Sequence, residues 1–179
     1  MNTATVLGHT WLEPRKAMIR AITIGNITWL VAAGLAFVLW PTVGPADSAA
    51  ERLAFVGQLA AIPGVFGLFV VLSCMRLFDT AEAEDPLAGR ESRRWKINQR
   101  VLQNTVEQGF VFLPALVALA LRVDARQLAV LPIAVTLWCA GRVLFWLGYH
   151  QSPIWRAPGF DWTLNTTFLV VAWLAATLF

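Results

Sequence analysis

"NQRVLQNTVEQGFVFLP", residues 98–114, stands at the head of a run otherwise made of Leu, Ala, Val and Phe. A helix turns 100° per residue, so positions i, i+4 and i+7 share a face. Arg100, Asn104 and Glu107 take those positions, within an arc of about 60°. A lipid chain cannot solvate such a stripe. An ionisable group at membrane depth pairs with another group or lines a wet cavity. Arg100 lies near enough to the end of the run to reach the surface along its own methylene stem. Glu107 is about two turns deeper and cannot. The stretch therefore reads as the polar face of a membrane helix turned inward. It serves either as an interhelical clamp between arginine and glutamate or as part of a ligand site.

The rest of the chain supports the membrane class. Of its 179 residues, 58% are hydrophobic and 14% charged, with a mean hydropathy of +0.61. Soluble domains are about 45–50% apolar and about 25% charged. Five apolar runs stand out: Ile22 to Trp40, Leu53 to Phe78, Val101 to Leu121, Leu128 to Tyr149 and Trp162 to Phe179. Each is near the length of about 20 residues that a spanning helix needs. Pro63 and Pro132 are tolerated inside such helices. The first run follows Arg15, Lys16 and Arg20 but exceeds the apolar core of a signal peptide, so it reads as a genuine span. The expected architecture is an all-α integral membrane protein of five spans. An N-terminal segment, 1–52, carries the first span, and the other four lie in 53–179.

Charge placement predicts the orientation. Arg15, Lys16 and Arg20 precede the first run, Arg76, Arg90, Arg93, Arg94, Lys96 and Arg100 surround the second loop, and Arg142 and Arg156 border the fourth. The excess puts the N-terminus and the second and fourth loops inside and the C-terminus outside. Trp11, Trp40, Trp95, Trp155 and Trp162 fall at expected span ends, as interfacial anchors do. A net charge of +3, with its basic residues beside the spans, argues against nucleic acid as a partner. Cys74 and Cys139 lie inside apolar runs and read as small buried hydrophobes. His9 and His150 are too few and too far apart for a metal or haem site. The acidic stretch 79–85 reads as a solvated loop.

The fourth run closes with "GRVLFWLGYH", residues 141–150. Arg142 and Tyr149 are seven apart and share a face. Gly141 and Gly148 share a neighbouring one, where a second helix can approach closely. Arg156 follows in a short loop. With the predicted orientation, Arg100, Arg142, Tyr149 and Arg156 gather near the cytoplasmic mouth. Several cations beside a tyrosine and an amide suit an anionic, peptide-like ligand.

Together, "RVLQNTVEQ" (100–108) and "GRVLFWLGYHQSPIWRAPGF" (141–160) resemble the membrane-associated proteins in eicosanoid and glutathione metabolism, the MAPEG family, and most of all its bacterial members. The similarity covers roughly Leu53 to Phe179. It implies four-helix protomers assembled as homotrimers, with glutathione bound between protomers near the cytosolic face. On this resemblance Arg100, Asn104, Glu107, Arg142 and Tyr149 match residues that contact glutathione. Arg156 matches an arginine that stabilises the glutathione thiolate, and Arg76 lies where the family often has a further glutathione-binding arginine. The first run, Ile22 to Trp40, is then an added helix ahead of the four-helix core. Three positions depart from the eicosanoid synthases. Phe145 replaces a second tyrosine, Gln108 replaces a tyrosine after the glutamate, and Ile97 stands where an arginine precedes Arg100 by one turn. The implied activity is a glutathione-dependent transferase or peroxidase acting on a hydrophobic electrophile or hydroperoxide drawn from membrane lipid. The alternatives are a non-catalytic scaffold or accessory subunit of a larger membrane complex, and a module that binds a lipid or other hydrophobic ligand.

Overall fold

The described residues of the computed structural model are 3–40, 46–64, 69–71, 73–74, 89 and 91–178, with side chains from Pro14 onward. Arg76 and the acidic stretch 79–85 lie outside them. Five α-helices carry most of this chain: α1 (Thr3–Leu39), α2 (Ala49–Ile62), α3 (Arg93–Ala120), α4 (Val130–Gln151) and α5 (Ala157–Ala176). A 3-10 turn, Ala125–Gln127, joins α3 to α4. No strand occurs among the described residues.

Sequence punctuation sets the helix starts. Ser48 caps α2: its hydroxyl accepts the Glu51 N–H at 3.2 Å, and the Glu51 carboxylate accepts the Ser48 and Asp47 N–H groups at 3.0 and 2.9 Å. That reciprocal box satisfies donors a helix start leaves orphaned. The N–H bonds from Ser48, backed by the Ser48 hydroxyl and the Asp47 N–H, hold the Glu51 carboxyl below its ordinary range. Ser92 caps α3 by accepting the Trp95 N–H at 3.1 Å. Pro158 sits in the first turn of α5, where its missing N–H costs nothing.

Two stretches among the described residues, Pro14–Leu39 and Ala125–Gln151, are long and apolar enough to cross a membrane. α3 gives its first half to polar residues, and α5 carries Asp161, Asn165 and three threonines. The first apolar run belongs to a longer helix than its hydropathy marks. α1 begins at Thr3, and Pro14 is accommodated within it at the loss of one backbone bond.

α1 packs on α5 and α4, while α2 packs on α3 and α4. Its seat on α5 is polar. Trp29 Nε1 donates to Thr166 Oγ1 at 2.9 Å, Trp162 Nε1 donates to Thr28 Oγ1 at 3.0 Å, and Asn165 Nδ2 donates to Asn26 Oδ1 at 2.8 Å. Such bonds hold membrane helices together where apolar faces alone have no preference for each other over lipid. Trp162, expected as an interfacial anchor, thus spends its indole N–H on α1. Gly25 makes the approach possible, since a Cβ there would lie 2.7 Å from Pro158 Cα. The outward face of α1 carries Leu30, Val31, Leu35, Val38 and Leu39, all exposed.

The main core lies deep in the bundle, where Phe112, Leu116 and Leu119 of α3 meet Leu131 and Trp138 of α4 and Val170 of α5. The Phe112 and Trp138 rings stack at 5.2 Å. A smaller cluster of Ile97, Val101 and Phe145 closes the opposite end of α3. Asn98, 1% exposed, ties α3 to α4 there: its Oδ1 accepts from Trp146 Nε1 at 2.8 Å and pairs with His150 Nε2 at 2.8 Å. That polar end carries the candidate site.

Candidate functional site

The α3 stripe forms as its spacing predicts. Arg100, Asn104 and Glu107 line one cavity of about 680 Å³, together with Gln103 between them. Tyr149 of α4 and Arg156, at the start of α5, line the same cavity. Five of the seven site residues named from sequence therefore meet in one place within a single chain. Arg76 lies outside the described residues.

Arg142 is not among the residues lining this cavity. It is 4% exposed and sits behind Asn104, to which its Nη1 donates at 2.9 Å. Its guanidinium carbon lies 4.4 Å from the centre of the Phe145 ring and 5.8 Å from that of Trp138. Arg142 therefore reaches the cavity only through the Asn104 amide, which it holds with its carbonyl oxygen turned toward α4. The α3 stripe is joined through Gln103 rather than by a direct ion pair. Gln103 Oε1 accepts from Arg100 Nη1 at a long 3.5 Å, and Gln103 Nε2 donates to Glu107 Oε1 at 3.1 Å. A direct clamp between Arg100 and Glu107 is thus absent among the described residues.

Across the cavity, the Arg156 guanidinium lies over the Tyr149 ring at 4.9 Å, and Tyr149 meets Phe145 edge-on at 5.8 Å. Stacking covers one face of a guanidinium and leaves its N–H edge free to donate in plane. Phe145, the departure from a tyrosine noted in the sequence, serves as the apolar platform under both Tyr149 and Arg142.

Three contributors escaped the sequence reading. Met18 and Ile22 of α1 line the cavity, so this helix forms part of its wall. Asp161 of α5 lines it as well, 9% exposed, and its buried Oδ2 has no hydrogen-bond partner. A Cβ on Gly25 would lie 2.8 Å from that oxygen, so the absence of a side chain on α1 leaves it room. The only signal in the sequence was an acid placed at the very start of an apolar run.

The cavity thus presents two guanidinium groups, two carboxylates, a phenol and two amides. Its volume lies within the range of about 300–1,000 Å³ common to small-molecule sites. A ligand with two carboxylates and one ammonium matches this set of charges. Glutathione has that chemistry, so the residues present fit it.

A family model described as the MAPEG family matches residues 27–178. The match begins inside α1, ahead of the Leu53 at which the motif resemblance starts, and runs through α5. No curated protein matches the chain.

Proposed function

Since the chain belongs to the MAPEG family, whose members include glutathione transferases and peroxidases alongside non-catalytic proteins, we propose that it binds glutathione in the α3–α4–α5 cavity and acts as a membrane-bound transferase or peroxidase. The observation that carries this reading is the joint presence of Arg100, Asn104, Glu107, Tyr149 and Arg156 around one cavity, with Asp161 also in its wall.

Bound there, glutathione would supply a thiolate nucleophile toward a hydrophobic electrophile or hydroperoxide entering from the bilayer. The protein's own residues divide the remaining work. Arg100 and Arg156 face the ligand carboxylates and its sulfur. Guanidinium stays protonated at any working pH, so Arg156 acts by electrostatics and not as a base. An adjacent positive charge favours the ionised thiol. Asp161 and Glu107 face the ammonium, Glu107 being already oriented by Gln103. Asn104, fixed by Arg142, offers its amide N–H groups to a peptide carbonyl. Met18 and Ile22 exclude water from the α1 side. We place the N-terminus in the cytoplasm of a bacterial cell and the C-terminus outside, with three copies forming the working unit.

The test is a calorimetric titration of the detergent-solubilised protein with glutathione, paired with ultraviolet absorbance of bound thiolate across pH. Arg156→Ala should keep most of the binding and lose the thiolate signal and turnover. Arg100→Ala should bind about tenfold or more weakly, as loss of a charge-assisted contact implies. Absence of both heat and thiolate signal in the wild-type protein at millimolar glutathione would leave the fold serving as a scaffold or accessory subunit.

A further inference from the structure

The polar stripe of α3 continues toward the start of the helix. Arg93 and Lys96 stand seven and four residues ahead of Arg100. At 100° per residue they fall with Arg100, Gln103, Asn104 and Glu107 inside an arc of about 100°. The stripe thus runs from Arg93 to Glu107, about 21 Å at 1.5 Å per residue. It is graded in charge: three cations come first, then two amides, then a carboxylate. Over its cationic part lies a second cavity of about 720 Å³, whose wall includes Glu91, Arg93 and Lys96. Arg100, Gln103 and Tyr149 line both this cavity and the one assigned to glutathione. The two are neighbouring chambers along one helix face, with Arg100 at their boundary.

The two chambers differ in net charge. In the inner one, Glu107 and Asp161 balance Arg100 and Arg156. In the outer one, three cations stand against Glu91, the one acid among the described residues of its wall. Glu91 meets Lys96 at 4.0 Å, the loose contact of a surface pair. The outer chamber is therefore positive, and Arg93, Lys96 and Arg100 are all exposed to solvent. A positive cleft set in a low-dielectric bundle gathers anions and raises their rate of arrival. Glutathione carries two carboxylates against one ammonium, and so a net negative charge. The balanced inner chamber recognises such a ligand at contact but does not attract it from a distance. Arg100, between the two, is loosely held: its Nη1 reaches Gln103 Oε1 only at 3.5 Å.

We propose that the chamber over Arg93 and Lys96 is an antechamber, which captures the anionic peptide by charge from the aqueous side and passes it across Arg100 into the inner cavity. The proposal rests on the glutathione reading of the inner cavity and adds the route by which the ligand arrives. Arg93 and Lys96 act through their field and are not contacts of the bound state. Arg100 serves both chambers, because its weak bond to Gln103 leaves the guanidinium able to turn toward either.

The test uses the full chain in nanodiscs of zwitterionic phospholipid. It is titrated calorimetrically with glutathione at about 0.01 M and about 1 M salt, where charges are screened beyond about 30 Å and about 3 Å. Arg93→Gln combined with Lys96→Gln should bind about tenfold more weakly than the wild type at the lower salt, the lower end of what steering supplies, and equally at the higher. Both side chains are exposed, so neither substitution disturbs packing. Arg93→Lys combined with Lys96→Arg keeps both charges and should match the wild type at both salts. Rapid filtration of tritiated glutathione should place the loss in the association rate, since rim charges act on arrival. Wild-type affinity in the neutralised variant at low salt would overturn the proposal. So would a loss that persists at high salt or lies in the dissociation rate, because Arg93 and Lys96 would then be ligands of the bound peptide. Absence of binding heat in the wild type at both salts would remove the glutathione reading and the antechamber with it, whereas binding indifferent to the two charges removes the antechamber alone.

Discussion

Asp161 holds a carboxylate oxygen that nothing among the described residues satisfies, in the wall of a cavity containing two guanidinium groups. If that oxygen receives the ligand's ammonium, Asp161→Asn should weaken glutathione binding about ten- to a hundredfold, the range of roughly 1.5–3 kcal/mol for a hydrogen bond to a charged group. Helicity should be unchanged, because no intramolecular bond to Oδ2 is lost. The check is a pair of titrations, with glutathione and with its analogue lacking the amino group. The substitution should cost affinity only with the first, and an equal loss with both would assign Asp161 to packing against Gly25. At this scale the sequence was legible where periodicity governs. Arg100, Asn104 and Glu107 share a face because 3.6 residues make a turn, and that face lines the cavity. The same rule placed Arg142 beside Tyr149, but a helical face does not fix where a long side chain ends. Arg142 turns behind Asn104, where an amide oxygen and two aromatic rings receive it. Asp161 was illegible because its burial is made by α1, a helix far away in sequence.

Among the elements, α4 and α5 owe their close approach to glycine. A Cβ on Gly141 would meet Thr163 and Trp162 at 2.9 Å each, one on Gly148 would collide with the Trp155 carbonyl, and one on Gly159 would collide with the Phe145 backbone. The sequence reading of Gly141 and Gly148 as a face for a second helix is therefore met, and α5 with the segment leading into it is that partner. Gly159 completes the contact from the other side. Because it opposes backbone rather than a movable side chain, Gly159→Ala forces the helices apart. The cost should reach or exceed the 1–3 kcal/mol typical of overpacking, about a tenfold or larger rise in the unfolded fraction. Thermal unfolding in detergent should show the loss, and glutathione affinity should fall with it, since Tyr149 and Arg156 ride on the two helices that separate. Unchanged stability would mean that this contact is looser than the geometry states. Hydropathy was less informative about α1. It marked the apolar run from Ile22, but α1 starts at Thr3, because helix formation there needs backbone bonding and not an apolar composition. The three bonds from Asn26, Thr28 and Trp29 to α5 were likewise hidden, since Asn and Thr in a greasy run signal an interhelical contact without naming its partner.

The whole molecule leaves one electrostatic account open within a single chain. Glu107 and Gln103 are exposed, well inside a helix whose next residues on the outer side, Val106, Phe110 and Val111, are exposed as well. Phe110 is 82% exposed. A carboxylate at that depth facing acyl chains would carry a cost of several kcal/mol, and its hydrogen bond to Gln103 offsets only part of it. A second copy of the chain covering this face of α3 would place Glu107 at a protein interface and at the same time bury Phe110 and Val111. In the proposed homotrimer a cyclic arrangement would leave no copy with an uncovered face. Lysine- and carboxylate-directed crosslinking in mild detergent should therefore yield dimers and trimers and stop at three chains. Phe110→Glu adds a second carboxylate to the face proposed to be covered and should shift the population toward monomer without unfolding the bundle, because this side chain is largely exposed within its own chain. A protein that remains monomeric under gentle extraction, with Glu107 still deep in α3, would require water to reach that carboxylate from the α3–α4–α5 cavity alone. The trimer would then be the wrong assembly, and the cavity of a single chain would be the complete site.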